Sequence, residues 1–97
     1  MIAGVRHKGL RRLYEHDDRS KVPPDMVERI RDIIALLDVA AEPDHLDRPS
    51  LKPHPLKGKL EGFWAVTARA NWRIVFRFQD GDVYDVDFID YHQESPG

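Results

Sequence analysis

From Met26 onward the apolar residues fall at Ile30, Ile33, Ile34 and Leu37, the spacing of a helix buried along one stripe, with Glu28, Arg29, Arg31 and Asp32 on the water side. Pro23-Pro24 sets up the start of this helix, and Asp25 and Glu28 fall in its first turn, where carboxylates complement the helix dipole. Pro43 stops it near Ala41. A shorter segment, Lys8 to His16, places Leu10, Leu13 and Tyr14 at helical spacing, and the apolar start Met1 to Val5 predicts a brief strand before it. Asp17 to Val22 is polar and separates the two helices.

Beyond Gly62 the period changes to two. Trp64, Val66 and Ala68, then Trp72, Ile74, Phe76 and Phe78, then Tyr84, Val86 and Phe88 each alternate with polar or small residues. Three consecutive strands with short links predict an antiparallel meander. Directly opposed residues share a face, so Phe76 should meet an even-numbered partner in the next strand. A three-residue turn, Gln79-Asp80-Gly81 with Gly81 left-handed, pairs Phe76 with Tyr84, Ile74 with Val86 and Trp72 with Phe88. A two-residue Asp80-Gly81 turn would set Phe76 against Asp85 and is excluded on this parity. The same register sets Arg73 against Asp87 and leaves Arg77 without an opposed carboxylate. The expected fold is α+β: two N-terminal helices on the aromatic face of a sheet made from the short N-terminal strand and the meander, with residues 1–97 as one domain.

Between them, Glu42 to Gly62 holds four prolines, two glycines and only isolated apolar residues. It predicts a loop of about 20 residues, a length that compact domains usually reserve for function. The chain has 97 residues, no cysteine and a net charge of −2. Disulfides, thiolate metal sites and a cysteine nucleophile are therefore excluded. No apolar run reaches the roughly 20 residues that span a bilayer, and Met1 to Gly9 does not form a signal-peptide core, so a cytoplasmic protein without a membrane partner is expected.

The small net charge conceals a strong asymmetry. Residues 51–79 carry six Lys or Arg and one Glu, whereas residues 80–97 carry six acidic residues and no Lys or Arg. Arg69, Asn71, Arg73 and Arg77 would stand on the sheet face away from the helices, as a polyanion-binding surface requires. The alternative is that strands of opposite charge pair with each other. His54 sits between two prolines on a stiffened loop, and Asp90-Tyr91-His92 follow the last strand. Two histidines beside a basic strand face suggest proton transfer on RNA. His7, His16 and His45 lie among charged residues and read as surface. A metal site from His54, Asp90 and His92 lacks diagnostic spacing.

The order Lys52, Pro-His-Pro-Leu-Lys-Gly (53–58), Phe63-Trp64, Arg-Ala-Asn-Trp-Arg-Ile (69–74) and Asp-Tyr-His (90–92) resembles the HigB toxins of the RelE/ParE toxin–antitoxin superfamily. The resemblance runs from the His-Lys-Gly-Leu stretch at 7–10 through His92. It implies a compact RelE-like microbial RNase fold and a ribosome-dependent endoribonuclease that cuts mRNA in the 30S A site. It further implies a HigA-like helix-turn-helix antitoxin as partner, with operator DNA reached only through that antitoxin. In such toxins the ribose 2′-hydroxyl attacks the adjacent phosphate, with no cofactor and no metal. The roles this implies are acid–base chemistry for His54 and His92, phosphate stabilisation for Lys57 and Arg73, and orientation or stacking for Tyr91 beside Asp90. Asn71, Arg69, Arg77, Lys52 and Lys59 would contact RNA. Which histidine is base and which acid stays open. A ParE-like gyrase-inhibiting toxin and an inactive antitoxin-binding relative are the alternatives.

Overall fold

In the computed structural model, which describes residues 1–90, the predicted stripe becomes helix α2 (Val27–Val39), entered through a 3-10 turn at Pro24–Met26. Met26, Ile30, Ile33, Ile34 and Leu37 are all buried. Helix α1 (Lys8–His16) begins at His7, whose Nδ1 accepts the Leu10 amide at 3.1 Å. That bond satisfies an amide that the helix itself leaves without a partner. His7 is half-buried and its ring meets the edge of Phe88, so it is a structural cap and not the surface residue expected of it. Gly9 explains itself by distance: a Cβ there would lie 2.6 Å from the Lys21 carbonyl oxygen. Among the water-side residues expected on α2, Arg29 is tied inward, donating to the carbonyls of Ser50, Thr67 and Ala68.

Four antiparallel strands follow in spatial order: β1 (His54–Pro55), β2 (Trp64–Arg69), β3 (Trp72–Gln79) and β4 (Asp82–Asp90). Val66, Ile74, Phe76, Val86 and Phe88 pack with Leu10, Ile30, Ile33 and Leu37 to form the core between sheet and helices. None of the helices among the described residues is long and apolar enough to cross a membrane.

The sheet departs from the sequence-based picture in three respects. The N-terminal segment is not a regular strand. It makes two isolated parallel bridges, Ile2 with Val83 and Val5 with Val86, along the outer edge of β4. Second, the long loop is partly structured. It contains 3-10 turns at Pro43–Leu46 and Gly58–Leu60, and Leu51 to Leu56 follows the free edge of β2. The bonds are Thr67 amide to Leu51 carbonyl at 2.7 Å, the His54–Ala65 pairing, and Leu56 amide to Phe63 carbonyl at 2.9 Å. An edge group cut off from water without a partner is costly, and this segment supplies both kinds, the Leu51 carbonyl and the Leu56 amide.

Third, the β3–β4 turn has two residues, Asp80 and Gly81, with φ of 53° and 81°. This left-handed pair matches the right-handed twist of the flanking strands. Gly81 therefore has its expected positive φ, but the odd-length turn is wrong. Parity is restored further along by a bulge, where Asp85 and Val86 together oppose Phe76 and Asp85 takes φ 55°. Ile74 then faces Phe88, Trp72 faces Asp90, and Arg73 faces Ile89 where Asp87 was expected. Tyr84 pairs with Arg77 on the outer face, and Val83, expected on the outer face opposite Arg77, takes the core position expected of Tyr84.

The helical layer and the β4 edge are joined at Asp38. Its Oδ1 accepts both the Ile2 amide at 3.0 Å and the Tyr14 hydroxyl at 2.9 Å. The Ile2 bond, helped by Tyr14, holds the Asp38 carboxyl below the usual carboxylate range despite its partial burial. Burial first, and then the Asp38 contact, push the Tyr14 hydroxyl upward.

Candidate nucleic-acid interface

Helices cover one face of the sheet and His54 and Arg73 lie on the other, whereas Asp90 and Arg69 both pair with Trp72, which packs against the core. His54 pairs with Ala65, Ala65 with Val75 and Val75 with Asp87, so these four residues form one row across the sheet. The adjacent row holds Thr67, Arg73 and Ile89. Neighbouring strands lie about 4.8 Å apart, which puts the His54 and Val75 backbones roughly 10 Å from each other, with Arg73 one row along. Ala65 and Val75 are buried, although neither belongs to the helix-facing core. They form a small apolar floor flanked by His54, Thr67 and Arg73.

His54 is half-buried, and its Nδ1 lies 3.3 Å from the Lys52 carbonyl oxygen. A carbonyl only accepts, so this contact requires the proton on Nδ1 and leaves Nε2 as the nitrogen that exchanges protons. Lys52 adopts φ 48°, an uncommon left-handed conformation for a residue with a Cβ. Arg73 donates from Nη1 to the Ala70 carbonyl at 2.5 Å and to the Trp72 carbonyl at 3.1 Å. Its guanidinium is thereby held beside the β2–β3 turn, where Asn71 is exposed. Lys52, Lys57 and Lys59 are also exposed, on the segment that carries β1.

Two predicted RNA contacts are committed elsewhere. Arg69 forms an ion pair with Asp25 at the start of the helical layer. Arg77 donates to Asp85 at 2.6 Å and to Gln79 at 2.6 Å, and its guanidinium lies over the Tyr84 ring. The bulge that moves Asp85 and Tyr84 creates this cluster, correcting the expectation that Arg77 lacks a carboxylate. Asp90 closes β4 opposite Trp72, whereas Tyr91 and His92 lie outside the described residues. Thr67 and the Ala65–Val75 floor were missed from sequence. The available signal was that all three share the face of Arg73 by strand alternation.

A two-helix layer on a four-stranded antiparallel sheet, with a histidine and an arginine on the open face, defines a RelE-like toxin fold. The HigB-like toxins, described as RelE-like toxins of the type II toxin–antitoxin system HigB, match residues 3–92, and the chain belongs to that family. The Endoribonuclease HigB of Proteus vulgaris is 48% identical over 92 residues, covering 95% of this chain and 100% of the relative. YafQ from E. coli strain BL21(DE3) superposes with a TM-score of 0.64 at 13% identity, over 95% of this chain and 96% of its own. The YoeB/ParE toxin from Agrobacterium tumefaciens gives a TM-score of 0.52 at 27% identity, over 92% and 99% of the two chains. At 13% identity the YafQ likeness speaks for the fold alone. Membership of a toxin–antitoxin family implies an antitoxin as partner.

Proposed function

We propose that this toxin is an endoribonuclease that cleaves mRNA in the ribosomal A site through the RNA's own 2′-hydroxyl. The observation that carries the proposal is His54, its Nδ1 turned to the Lys52 carbonyl, on the same sheet face as Arg73 and across an apolar floor. In the reaction a base takes the 2′-hydroxyl proton and the 2′-oxygen bonds to the adjacent phosphorus. The bond from phosphorus to the 5′-oxygen breaks, and an acid protonates that oxygen. The products are a 2′,3′-cyclic phosphate and a 5′-hydroxyl.

His54 and His92 are the two proton-transfer groups. Arg73 and Lys57 stabilise charge on the phosphate, as fixed cations do best in a site they need not reorganise. Tyr91 and Asp90 orient the leaving side, and Asn71 and Lys52 position the flanking nucleotides. With Arg69 and Arg77 ion-paired, the sheet's cationic footprint is small, so free RNA binds weakly. The ribosome supplies the missing orientation, turning a loose encounter into a near-attack geometry. A HigA-like helix-turn-helix antitoxin restrains this activity in the cytoplasm and links it to operator DNA.

The test is end-group analysis of message incubated with the protein, with and without translating ribosomes. Fragments ending in 2′,3′-cyclic phosphate and 5′-hydroxyl, formed only on ribosomes, are expected. Intact messages together with growth arrest and stalled gyrase would overturn the proposal in favour of a ParE-like inhibitor.

A further inference from the structure

Thr67 stands on the open face, and no hydrogen bond among the described residues engages its hydroxyl. It directly opposes Arg73 on β3 and lies two residues along β2 from Ala65, the partner of His54. Alternation therefore projects its side chain between the two, before the β2 register shift that follows Thr67. Its backbone is fully engaged: the amide donates to the Leu51 carbonyl at 2.7 Å, and the carbonyl accepts Arg29 Nη2 at 3.0 Å. The strand is thus pinned at this residue from both the loop and helix α2. The side chain is half-buried, and among the described residues Oγ1 makes no hydrogen bond. A β-branched residue on a pinned strand has little rotamer freedom, so the hydroxyl is held in place at small entropic cost.

A hydroxyl beside a guanidinium is a second donor for any anionic oxygen that the guanidinium attracts. We propose that Thr67 Oγ1 donates a hydrogen bond to a non-bridging oxygen of the phosphodiester that Arg73 holds, positioning it for cleavage. This inference rests on the endoribonuclease reading above. It names a residue beyond the two histidines and the cations, and assigns it to phosphate binding. Threonine is also favoured in strands for shape alone, and valine shares that shape without the hydroxyl.

The test compares wild type, Thr67→Val and Thr67→Ser in single-turnover cleavage of message on programmed ribosomes, with thermal melts of all three. Hydrogen bonds to charged groups are strong enough that Thr67→Val should slow cleavage about 10- to 100-fold. Thr67→Ser should stay within about threefold of wild type, because it keeps the donor. Sulfur placed stereospecifically at the cleaved linkage supplies the second readout. One of the two diastereomers should slow the wild type, and Thr67→Val should lose that discrimination.

Wild-type cleavage by Thr67→Val, or equal loss in the valine and serine variants, would overturn the role of the hydroxyl while leaving the endoribonuclease reading standing. Failure of the wild type itself to release 2′,3′-cyclic phosphate would overturn that reading, and the role of Thr67 with it.

Discussion

Removing the Asp38 carboxylate should destabilise this fold from outside its apolar core. One oxygen, Oδ1, receives the Ile2 amide at 3.0 Å and the Tyr14 hydroxyl at 2.9 Å. Through Ile2 it fixes the segment whose backbone bonds, Ala3 amide to Val83 carbonyl and Val86 amide to Gly4 carbonyl, line the β4 edge. Asp38→Ala leaves both donors without that acceptor. Bonds to a charged group contribute about 1.5–3 kcal/mol each when buried. Asp38 is only half-buried, so water takes over part of the role, and a net loss of about 2 kcal/mol is expected. For a domain of this size that lowers Tm by about 8–16 °C.

The pH dependence gives the prediction its signature. The folded Asp38 carboxyl titrates below its ordinary value, so its contribution is complete above about pH 4 and disappears as pH falls through the depressed value. Tyr14 is shifted upward, so its share is complete below about pH 10 and is lost as pH rises through the raised value. Thermal melts of wild type, Asp38→Ala and Tyr14→Phe from pH 3 to 11 would measure both limbs. Asp38→Ala should flatten the acid limb, and Tyr14→Phe should flatten the alkaline limb. Equal melting of wild type and Asp38→Ala at pH 7, or parallel acid limbs, would refute the junction as described.

Four further outcomes follow from other parts of the structure. Gly9→Ala forces a Cβ to within 2.6 Å of the Lys21 carbonyl oxygen and should cost about 1–3 kcal/mol in a urea melt, although alanine is the better helix former. Ile34→Asp places a carboxylate in the buried stripe, a penalty comparable with the whole stability of a small domain, and should abolish cooperative unfolding. His54→Ala should reduce ribosome-dependent cleavage by about 10²- to 10⁴-fold with an unchanged melt. His45→Ala, at an exposed position bonded to the Ala41 amide, should cleave normally.

The sequence by itself determined the two helices, the three strands of the meander and most of the residues that face inward. Periods of 3.6 and 2 record burial along one side of a local element, and Ile30, Ile33, Ile34, Leu37, Ile74 and Phe76 are buried where those periods put them. The family, too, is legible in the sequence, through the resemblance carried by Asn71-Trp72-Arg73 and Pro53-His54-Pro55. Partners in space were decided only by the tertiary structure. The two-residue turn and the Asp85–Val86 bulge each satisfy a backbone constraint, and together they shift every β3–β4 pair from the register that parity alone predicts. Arg77 gained a carboxylate that way, and Tyr84 left the core. His54 came to lie in the row of Val75, one row from Arg73, because a proline-rich segment met the unpaired edge of β2, an event without periodicity. Local patterns reveal which side of an element is apolar. Which histidine, arginine and threonine share a face depends on hydrogen bonds closed between segments far apart in the chain, and no local pattern encodes those.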